Sequence, residues 1–386
     1  MQANIIHQRQ MEKQTFVFGT AATGRNFTDR KRETHRLCAN FTYGVNTILI
    51  SPRRWGKTSL VKKVIETVDK DKVNPVYIDI FSCRDAGEFY ARFAESVVRQ
   101  TATKNEEWIE NIRKFLQRFR PKFKFSTGGE IEFSLTFEVT PKEEDAESIL
   151  SLPEKIAEKR GCRIVVCIDE FQQIGEFPDS LTFQKQLRTV WQHQQLTSYC
   201  LFGSKRHLMT ELFEKSSHPF YKFGDVIFLK KIDTADWVEY IRSRFAETGK
   251  EIGEELATEI CERVDNQSNY VQQLAWILWV GTKRVARRED LNDAFQELTD
   301  HNSMLFESET ESLTAPQLNF LRAILEGVDR EFTRKEVLNN YQLGTAANIK
   351  RIKDSLLKKD LIDIEGGRTY IPDPVLRHWL TRKLNL

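Results

Sequence analysis

Apolar runs alternate with amphipathic segments between about residue 46 and residue 230. The runs "NTILIS", "PVYIDIF", "CRIVVCID", "SYCLFGS" and "DVIFL" have the length and composition of buried strands. Segments between them, such as "TSLVKKVIETVDK" and "AGEFYARFAESVVRQT", repeat apolar residues at helical spacing. This alternation is typical of crossover units, in which a helix connects two parallel strands. The pattern therefore predicts an α/β domain built on a parallel sheet.

The pattern changes along the rest of the chain, and these changes predict the domain boundaries. Residues 1–15 are polar and predict a loose tail, and residues 16–230 form the sheet domain. Within it, "FKFSTGGEIEFSLTFEV" alternates apolar and polar residues around two glycines, which predicts a β-ribbon insertion at about 121–140. Helical patterns alone fill 231–300, a helical lid, and 301–312 is a polar linker. Three helices and a short strand pair at 313–386 predict a winged helix.

Composition narrows the class of protein only a little. The chain has 386 residues, of which 40% are hydrophobic and 30% charged, and its formal net charge of +2 gives no overall nucleic-acid footprint. No apolar run reaches the roughly 18 residues that a membrane span needs, and the N-terminus lacks the apolar core of a signal peptide. Six cysteines are scattered without the spacing of a metal site. We expect a cytoplasmic protein without a membrane partner.

Residues 51–60, "SPRRWGKTSL", have the outline of a phosphate-binding loop between a strand and a helix. In such a loop the lysine, Lys57, reaches the β- and γ-phosphates of a nucleotide, and the Thr58 hydroxyl ligates Mg²⁺. Gly56 has to stay small because phosphate oxygens approach the backbone there. Ser51 stands where the pattern has its first glycine, so the segment alone also fits a basic strand-to-helix turn.

A second element favours the nucleotide site over the basic turn. The apolar strand "RIVVCIDEF" ends in Asp169 and Glu170, and the carboxyl ends of parallel strands meet at the edge where a phosphate loop lies. One carboxylate there can hold Mg²⁺ and the next can polarise the attacking water. We therefore predict an ATP and Mg²⁺ site, with Asp169 as metal ligand and Glu170 as general base of a slow ATPase.

These motifs resemble those of archaeal-type AAA+/STAND P-loop ATPases, whose loop reads G-P-R-R-x-G-K-T-S-L. "FTDRKRETHRL" is similar to the family's F-x-G-R-x-x-E-L box, with Phe27, Arg30 and Glu33 at matching positions and Asp29 in place of the glycine. The resemblance implies that this box borders the adenine, which makes Asn26 and Phe27 adenine-side candidates. It also implies an AAA+-like sheet core with a helical lid and a C-terminal winged helix.

Two further segments of the family have counterparts here. "LFGSKRHLM" resembles the strand-end element that senses the γ-phosphate, which makes Ser204 the sensor candidate, whereas "HPFYKFGD" has Lys222 in a segment where the family has an arginine. The segment "NQSNYVQQLAWIL" is similar to the lid helix of the family, with Tyr270, Gln272 and Leu274 at matching positions. The candidate residues are catalytic (Lys57, Glu170, Ser204), nucleotide-binding (Asn26, Phe27, Pro52, Arg53, Arg54, Trp55, Gly56, Lys57, Thr58, Ser59) and metal-binding (Thr58, Asp169).

The predicted winged helix contains a basic helix, "TAANIKRIKDSLLKKD". Its apolar positions face inward, and the pattern exposes five basic residues, Lys350, Arg351, Lys353, Lys358 and Lys359. A recognition helix of this kind can enter the major groove of DNA. A helix with the same pattern can instead contact a protein partner or a second copy of the chain, or serve as a structural cap, and the sequence leaves these alternatives open.

The sequence thus supports more than one function. The first is an ATP-binding and ATP-hydrolysing switch that couples nucleotide state to rearrangement of core, lid and winged helix and to partner binding. The alternative is a DNA-binding, initiator-like module in which ATP is a structural ligand. A third is a nucleotide-gated scaffold that contacts its partner through the β-ribbon.

Overall fold

Five parallel strands form the main sheet in the computed structural model, which describes residues 15–101, 122–125, 131–134 and 143–386, with backbone alone at 122–125, 131–134 and 143. The strands are β1 (Thr47–Ile50), β2 (Val73–Asp79), β3 (Lys122–Phe125), β4 (Ile131–Ser134), β5 (Arg163–Asp169), β6 (Thr197–Gly203), β7 (Asp225–Phe228), β8 (Asp363–Glu365) and β9 (Arg368–Tyr370). The α-helices are α1 (Lys31–Tyr43), α2 (Lys57–Thr67), α3 (Ala86–Thr101), α4 (Glu143–Leu150), α5 (Leu152–Arg160), α6 (Ser180–Trp191), α7 (Arg206–Glu214), α8 (Thr234–Ala246), α9 (Glu254–Arg263), α10 (Ser268–Gly281), α11 (Arg288–Glu311), α12 (Ala315–Leu325), α13 (Lys335–Asn340), α14 (Ala346–Lys358) and α15 (Pro374–Lys383). Short 3₁₀ helices cover Gly24–Asn26 and Phe171–Glu176.

The main sheet has the strand order β2-β5-β6-β1-β7. Every residue of β1 and β6 is buried, as expected for parallel strands that helices cover on both faces. The predicted α/β class and parallel sheet are therefore confirmed. Strand β6 lies between β1 and β5. The residue after β6, Ser204, therefore lies between the loop that follows β1 and the acidic residues at the end of β5.

The register of the sheet brings the carboxyl ends of these strands to one edge. Ile50 at the end of β1 is opposite Gly203 at the end of β6, and Asp79 of β2 is opposite Asp169 of β5. The chain continues from these ends into residues 51–56, Ser204 and Glu170, which carry the predicted chemistry. The predicted site residues therefore lie at one edge of the sheet.

A two-stranded ribbon is present where the sequence predicts one. Strands β3 and β4 pair antiparallel, with Lys122 opposite Ser134 and Phe125 opposite Ile131. The turn with the two glycines, 126–130, and the rest of the predicted insertion lie outside the described residues.

The chain divides into two compact units. One is Arg30–Lys230, which contains the main sheet, and the other comprises the described residues up to Asp29 together with Lys231–Leu386. Residues 16–29, which we assigned to the sheet domain from sequence, group with the second unit, because Phe16 is fully buried there against Tyr240 and Phe245.

The second unit contains helices α8 to α15 and the β8–β9 pair around one hydrophobic cluster. The predicted linker at 301–312 is wrong, since helix α11 continues through it to Glu311. Phe306 and Thr310 are buried on that helix, and Phe306 packs on Trp379 of α15. Two buried residues per three turns were too sparse a pattern to recognise against so many charged neighbours.

Candidate nucleotide-binding site

The phosphate-loop segment leaves β1 at Ser51 and enters helix α2 at Lys57. Arg54 (φ 67°) and Gly56 (φ 90°) have left-handed backbone conformations, whereas Ser51 is absent from the positive-φ residues of the described chain. Ser51 is buried, and its hydroxyl donates to the Pro52 carbonyl at 3.1 Å. Because the turn needs positive φ at Gly56 and not at Ser51, a serine is compatible with the loop.

Lys57 begins α2 and is only 6% exposed. Burial lowers the pKa of its ammonium group, and the nearby carboxylates of Glu170 and Asp169 oppose that change by favouring the charged form. The positive charge of Arg53 lowers the pKa further. A buried lysine at a helix N-terminus, close to a second cation, offers positive charge to an anion such as phosphate.

Asp169, the last residue of β5, is held by donors from two other elements. Its Oδ2 accepts hydrogen bonds from Thr58 Oγ1 at 2.9 Å and from the Tyr77 hydroxyl at 2.8 Å. Its Oδ1 accepts from the backbone N–H of Glu170 at 2.9 Å. Burial raises the pKa of Asp169, and the hydrogen bonds from Tyr77 and Thr58 work against that rise. The carboxylate is therefore fixed in orientation beside the start of α2.

Glu170 follows in a left-handed conformation, with φ 55°, that few residues other than glycine adopt. Its Oε2 accepts from Ser204 Oγ at 2.9 Å and from Gln172 Nε2. Arg53 Nε in turn donates to Ser204 Oγ at 3.4 Å. A continuous set of contacts thus joins the loop, the end of β6 and the acidic pair.

The structure brings together six of the residues that the sequence singled out. Contacts or charge interactions connect Arg53, Lys57, Thr58, Asp169, Glu170 and Ser204. Of the other loop candidates, Arg54 is exposed, Pro52, Trp55 and Gly56 are partly buried, and Ser59 is buried in α2. Asn26 ends the 3₁₀ helix Gly24–Asn26 and Phe27 follows it, both in the second unit. Their adenine-side assignment stays a prediction.

Three residues with contacts at this edge were missed as functional candidates. Tyr77 lies within the apolar strand β2, and Gln172 lies in the turn after Glu170. Arg30 was noticed only as a motif match, yet it is 2% exposed and donates to the carbonyls of Trp55, at 3.1 Å, and Lys230. A polar side chain inside an apolar segment was the available signal, but the partner depends on strand register, which one sequence does not reveal.

The donor set fits a magnesium ion with a nucleotide. The side-chain oxygens of Thr58 and Asp169 are 2.9 Å apart and hydrogen-bonded to each other. Oxygen is the ligand atom that Mg²⁺ prefers. No group of three or more His, Cys, Asp or Glu residues in the described part of the chain is arranged to hold a metal ion. Magnesium does not require one, because it is usually bound through one or two protein carboxylates together with substrate phosphates and water.

The basic helix α14 buries the face that the sequence predicted. Ile349, Ile352 and Leu356 are at most 4% exposed. Of the five basic residues, Lys350, Arg351, Lys358 and Lys359 are exposed, but the predicted exposure of Lys353 is wrong. Lys353 is partly buried, with its ammonium 4.8 Å from the centre of the Phe332 ring, and burial lowers its pKa.

The lid-helix residues that align with the family belong to the core of the second unit. Tyr270 donates to Asp373 Oδ2 at 2.7 Å, Gln272 accepts from the Val17 N–H at 3.2 Å, and Leu274 is fully buried. These contacts give the three residues a packing role.

None of the helices in the described ranges is long and apolar enough to cross a membrane.

The strand order, the loop at the end of β1 and the acidic pair at the end of β5 define the class: this is a P-loop ATPase domain. The chain belongs to the family described as "ATPase domain predominantly from Archaea", whose profile matches residues 27–274. The profile of a second family, "Probable winged helix domain", matches residues 304–382 and confirms the predicted C-terminal fold.

Solved structures with the same fold cover nearly the whole chain. A Walker-type ATPase of Pyrococcus abyssi is 18% identical with a TM-score of 0.68, covering 95% of this chain and 99% of its own. The ORC2 protein of Aeropyrum pernix, solved in ADPNP–ADP complexes, is 15% identical with a TM-score of 0.58, covering 97% and 99%. No curated protein matches the chain.

Proposed function

We propose that this protein is a slow, Mg²⁺-dependent ATPase whose nucleotide state switches its conformation. The observation that carries the proposal is the joining of the loop to the acidic pair, through Thr58 and Asp169 on one side and through Ser204 and Glu170 on the other. Adenine nucleotides in the complexes of the Aeropyrum pernix neighbour agree with ATP as the ligand.

The basic side chains of the site would bind the phosphates, and the oxygen-bearing side chains would bind Mg²⁺. Lys57 and Arg53 provide positive charge for the β- and γ-phosphates, and the amides at the start of α2 add the partial charge of a helix N-terminus. Thr58 and Asp169 would hold Mg²⁺, which when bound supplies the positive charge that offsets charge on the transferring phosphoryl group.

Glu170 and Ser204 would act at the reacting end of the nucleotide. Glu170 orients the attacking water and accepts its proton, as a carboxylate can when it is within hydrogen-bond reach. Ser204, through its bond to the same carboxylate, connects that residue to the end of β6 and to Arg53. These contacts support our assignment of the Ser204 hydroxyl as the group that responds to the γ-phosphate.

The conformational switch is supported by Arg30. The chain passes between the two units at Asp29–Arg30 and again at Lys230–Lys231. Arg30 stands at the first passage and donates both to the carbonyl of Lys230, at the second, and to the carbonyl of Trp55 in the loop. A change in the loop on nucleotide binding or hydrolysis therefore has a direct path to both connecting segments.

The nucleotide state would then control a partner, either a protein or a second copy of the chain. The alternative is an initiator-like module that binds DNA with ATP as a structural ligand. The exposed Lys350 and Arg351 on α14 favour it, since basic residues on such a helix can contact phosphates and bases.

Turnover of ATP by three variants tests the ATPase proposal. Lys57→Ala should abolish phosphate release, and Glu170→Gln should still bind ATP while kcat falls about 10²- to 10⁴-fold, the usual contribution of a general base. Lys63→Ala removes the same charge from the same helix away from these contacts and should behave as the wild type. Equal turnover in Lys57→Ala and Lys63→Ala would refute the assignment.

A further inference from the structure

The carboxylate of Glu170 accepts a hydrogen bond from a second side chain, which belongs to none of the sequence motifs. Gln172, two residues further on in the 3₁₀ helix Phe171–Glu176, donates from Nε2 to Glu170 Oε2. We propose that Gln172 is the positioning residue for Glu170, an inference that rests on the proposed role of Glu170 as the base. Gln172 acts through that carboxylate and not on the nucleotide.

Both side-chain hydrogen bonds to Glu170 fall on the same oxygen. Ser204 and Gln172 donate to Oε2, and Oε1 accepts no hydrogen bond from any residue that the structure describes. Two donors on one oxygen fix the plane of the carboxylate and leave the other oxygen available to a water molecule. Oε1 is therefore the atom that we expect to take the proton.

The burial of Gln172 argues against a role in packing alone. The residue is 4% exposed, and its Oε1 is a buried acceptor with no hydrogen-bond partner in the described structure. A buried acceptor without a partner is unfavourable, so methionine, of similar length and volume, would fill this space better. The amide is useful at this position because its other end reaches Glu170.

The neighbouring strand is shaped around this amide. A Cβ atom at Gly203, the last residue of β6, would lie 1.8 Å from Gln172 Oε1 and 2.9 Å from Met209 Sδ. Any side chain at 203 would therefore displace the amide. Gly203 keeps the space, and the next residue, Ser204, supplies the second donor.

The local backbone explains why the carboxylate needs holding. Glu170 has φ 55° and lies between the end of β5 and a short 3₁₀ helix, outside both elements. Arg53 Nε is 3.4 Å from Ser204 Oγ, a long hydrogen bond on the Ser204 side. Without Gln172, the orientation of Glu170 would depend on that side alone.

The test compares Gln172→Met with wild type in the full chain, measuring kcat, ATP affinity and thermal stability. Loss of positioning should lower kcat about 10- to 100-fold, the range seen when an outer hydrogen-bond partner of a site is removed. ATP affinity should stay within about twofold, and the melting temperature should be equal or higher because the unsatisfied acceptor is gone. Unchanged kcat would overturn the proposal, and so would a fall in kcat that only follows lost ATP affinity or lost stability.

Two further variants separate positioning from indirect damage. Gln172→Met added to Glu170→Gln should cause no further loss of turnover, because the residue acts only through the carboxylate; an additional loss of the same size would contradict this. Gln173→Met, the adjacent glutamine whose Nε2 lies 3.4 Å from the Cys83 carbonyl, should keep wild-type kcat. If wild type itself hydrolyses no ATP, the proposed function fails; if wild type turns over and Gln172→Met matches it, only this inference fails.

Discussion

At the scale of single residues, Ser51 shows why the phosphate loop differs from the usual motif without losing its shape. Glycine adopts positive φ at little cost, and in this loop Gly56 has that conformation whereas Ser51 does not. Arg54 also adopts positive φ, which carries a modest strain for a residue with a side chain. The departure at Ser51 is therefore neutral for the fold of the loop.

Tyr77 gives the first prediction at this scale. Its hydroxyl and that of Thr58 both donate to Asp169 Oδ2, so Tyr77→Phe should leave the carboxylate less well oriented for Mg²⁺. We expect the gain in ATP affinity on adding Mg²⁺ to shrink by about tenfold, while affinity in EDTA stays unchanged. Binding of a fluorescent ATP analogue with and without Mg²⁺ measures both.

The matched control for this change is Tyr90→Phe. Tyr90 is a buried tyrosine of α3 whose hydroxyl donates to Gln186 Oε1 at 2.6 Å, away from the acidic pair. It should keep the wild-type response to Mg²⁺. A Tyr77→Phe protein with the same response as Tyr90→Phe would show that the hydroxyl has no part in the metal site.

The sequence predicted the members of the site that belong to local motifs. Lys57 and Thr58 follow from the loop, and Asp169 and Glu170 follow from an apolar strand that ends in two carboxylates. Tyr77 and Gln172 could not be found in this way, because Tyr77 reaches Asp169 across the register of β2 and β5 and Gln172 needs the space above Gly203. Both facts belong to packing between segments that are distant in the chain.

At the scale of elements, Arg30 ties the start of α1 to the phosphate loop. It is almost fully buried, and it donates to the Trp55 and Lys230 carbonyls and forms an ion pair with Glu33. Removing this side chain removes two hydrogen bonds from a charged, almost fully buried donor, and hydrogen bonds to charged groups contribute more to stability than neutral ones. The loop should therefore depend on Arg30 for its stability as well as for its shape.

Arg30→Ala should lower the free energy of unfolding by about 2–4 kcal/mol, the range for loss of hydrogen bonds to a buried charged group. Arg36→Ala, in α1, is the control: its side chain is 54% exposed and its guanidinium pairs with Asp225, so its loss should cost about 1 kcal/mol or less. Urea unfolding of both variants measures the difference. Equal destabilisation would rule out the anchoring role of Arg30.

The elements themselves were predictable where hydrophobic periodicity was strong. Strands β5 and β6 and helix α2 have the apolar runs or faces that burial requires, and the structure buries them. The sequence analysis ended helix α11 too early because residues 302–311 are mostly polar. Even the apolar residues Met304 and Leu305 are exposed there. Periodicity gives little signal when a helix buries fewer than one residue per turn.

At the scale of the whole molecule, the proposed switch and the initiator-like alternative differ in what the winged helix contacts. If it binds duplex DNA, reversing Lys350 and Arg351 to glutamate should weaken binding at least tenfold at low salt, because protein cations release the counterions of DNA. The dependence of the binding constant on salt concentration should also become less steep. Fluorescence anisotropy with a labelled duplex over a salt series measures both quantities.

Lys283 and Arg284 form the matched control, since they are adjacent exposed basic residues outside α14. Reversing their charges changes the net charge by the same amount and should leave DNA affinity close to wild type. If both double variants lose affinity equally, binding reflects general charge and the initiator-like alternative loses its structural support. If the wild-type protein does not bind, a protein partner or a second copy of the chain remains.

Calorimetric titration of the full chain with Mg²⁺ and ATP tests the central claim most directly. The account predicts one nucleotide bound per chain, with affinity at least tenfold weaker in Lys57→Ala, a difference of about 1.4 kcal/mol or more. Absence of binding heat with the wild-type protein, or equal affinity in Lys57→Ala, would contradict it.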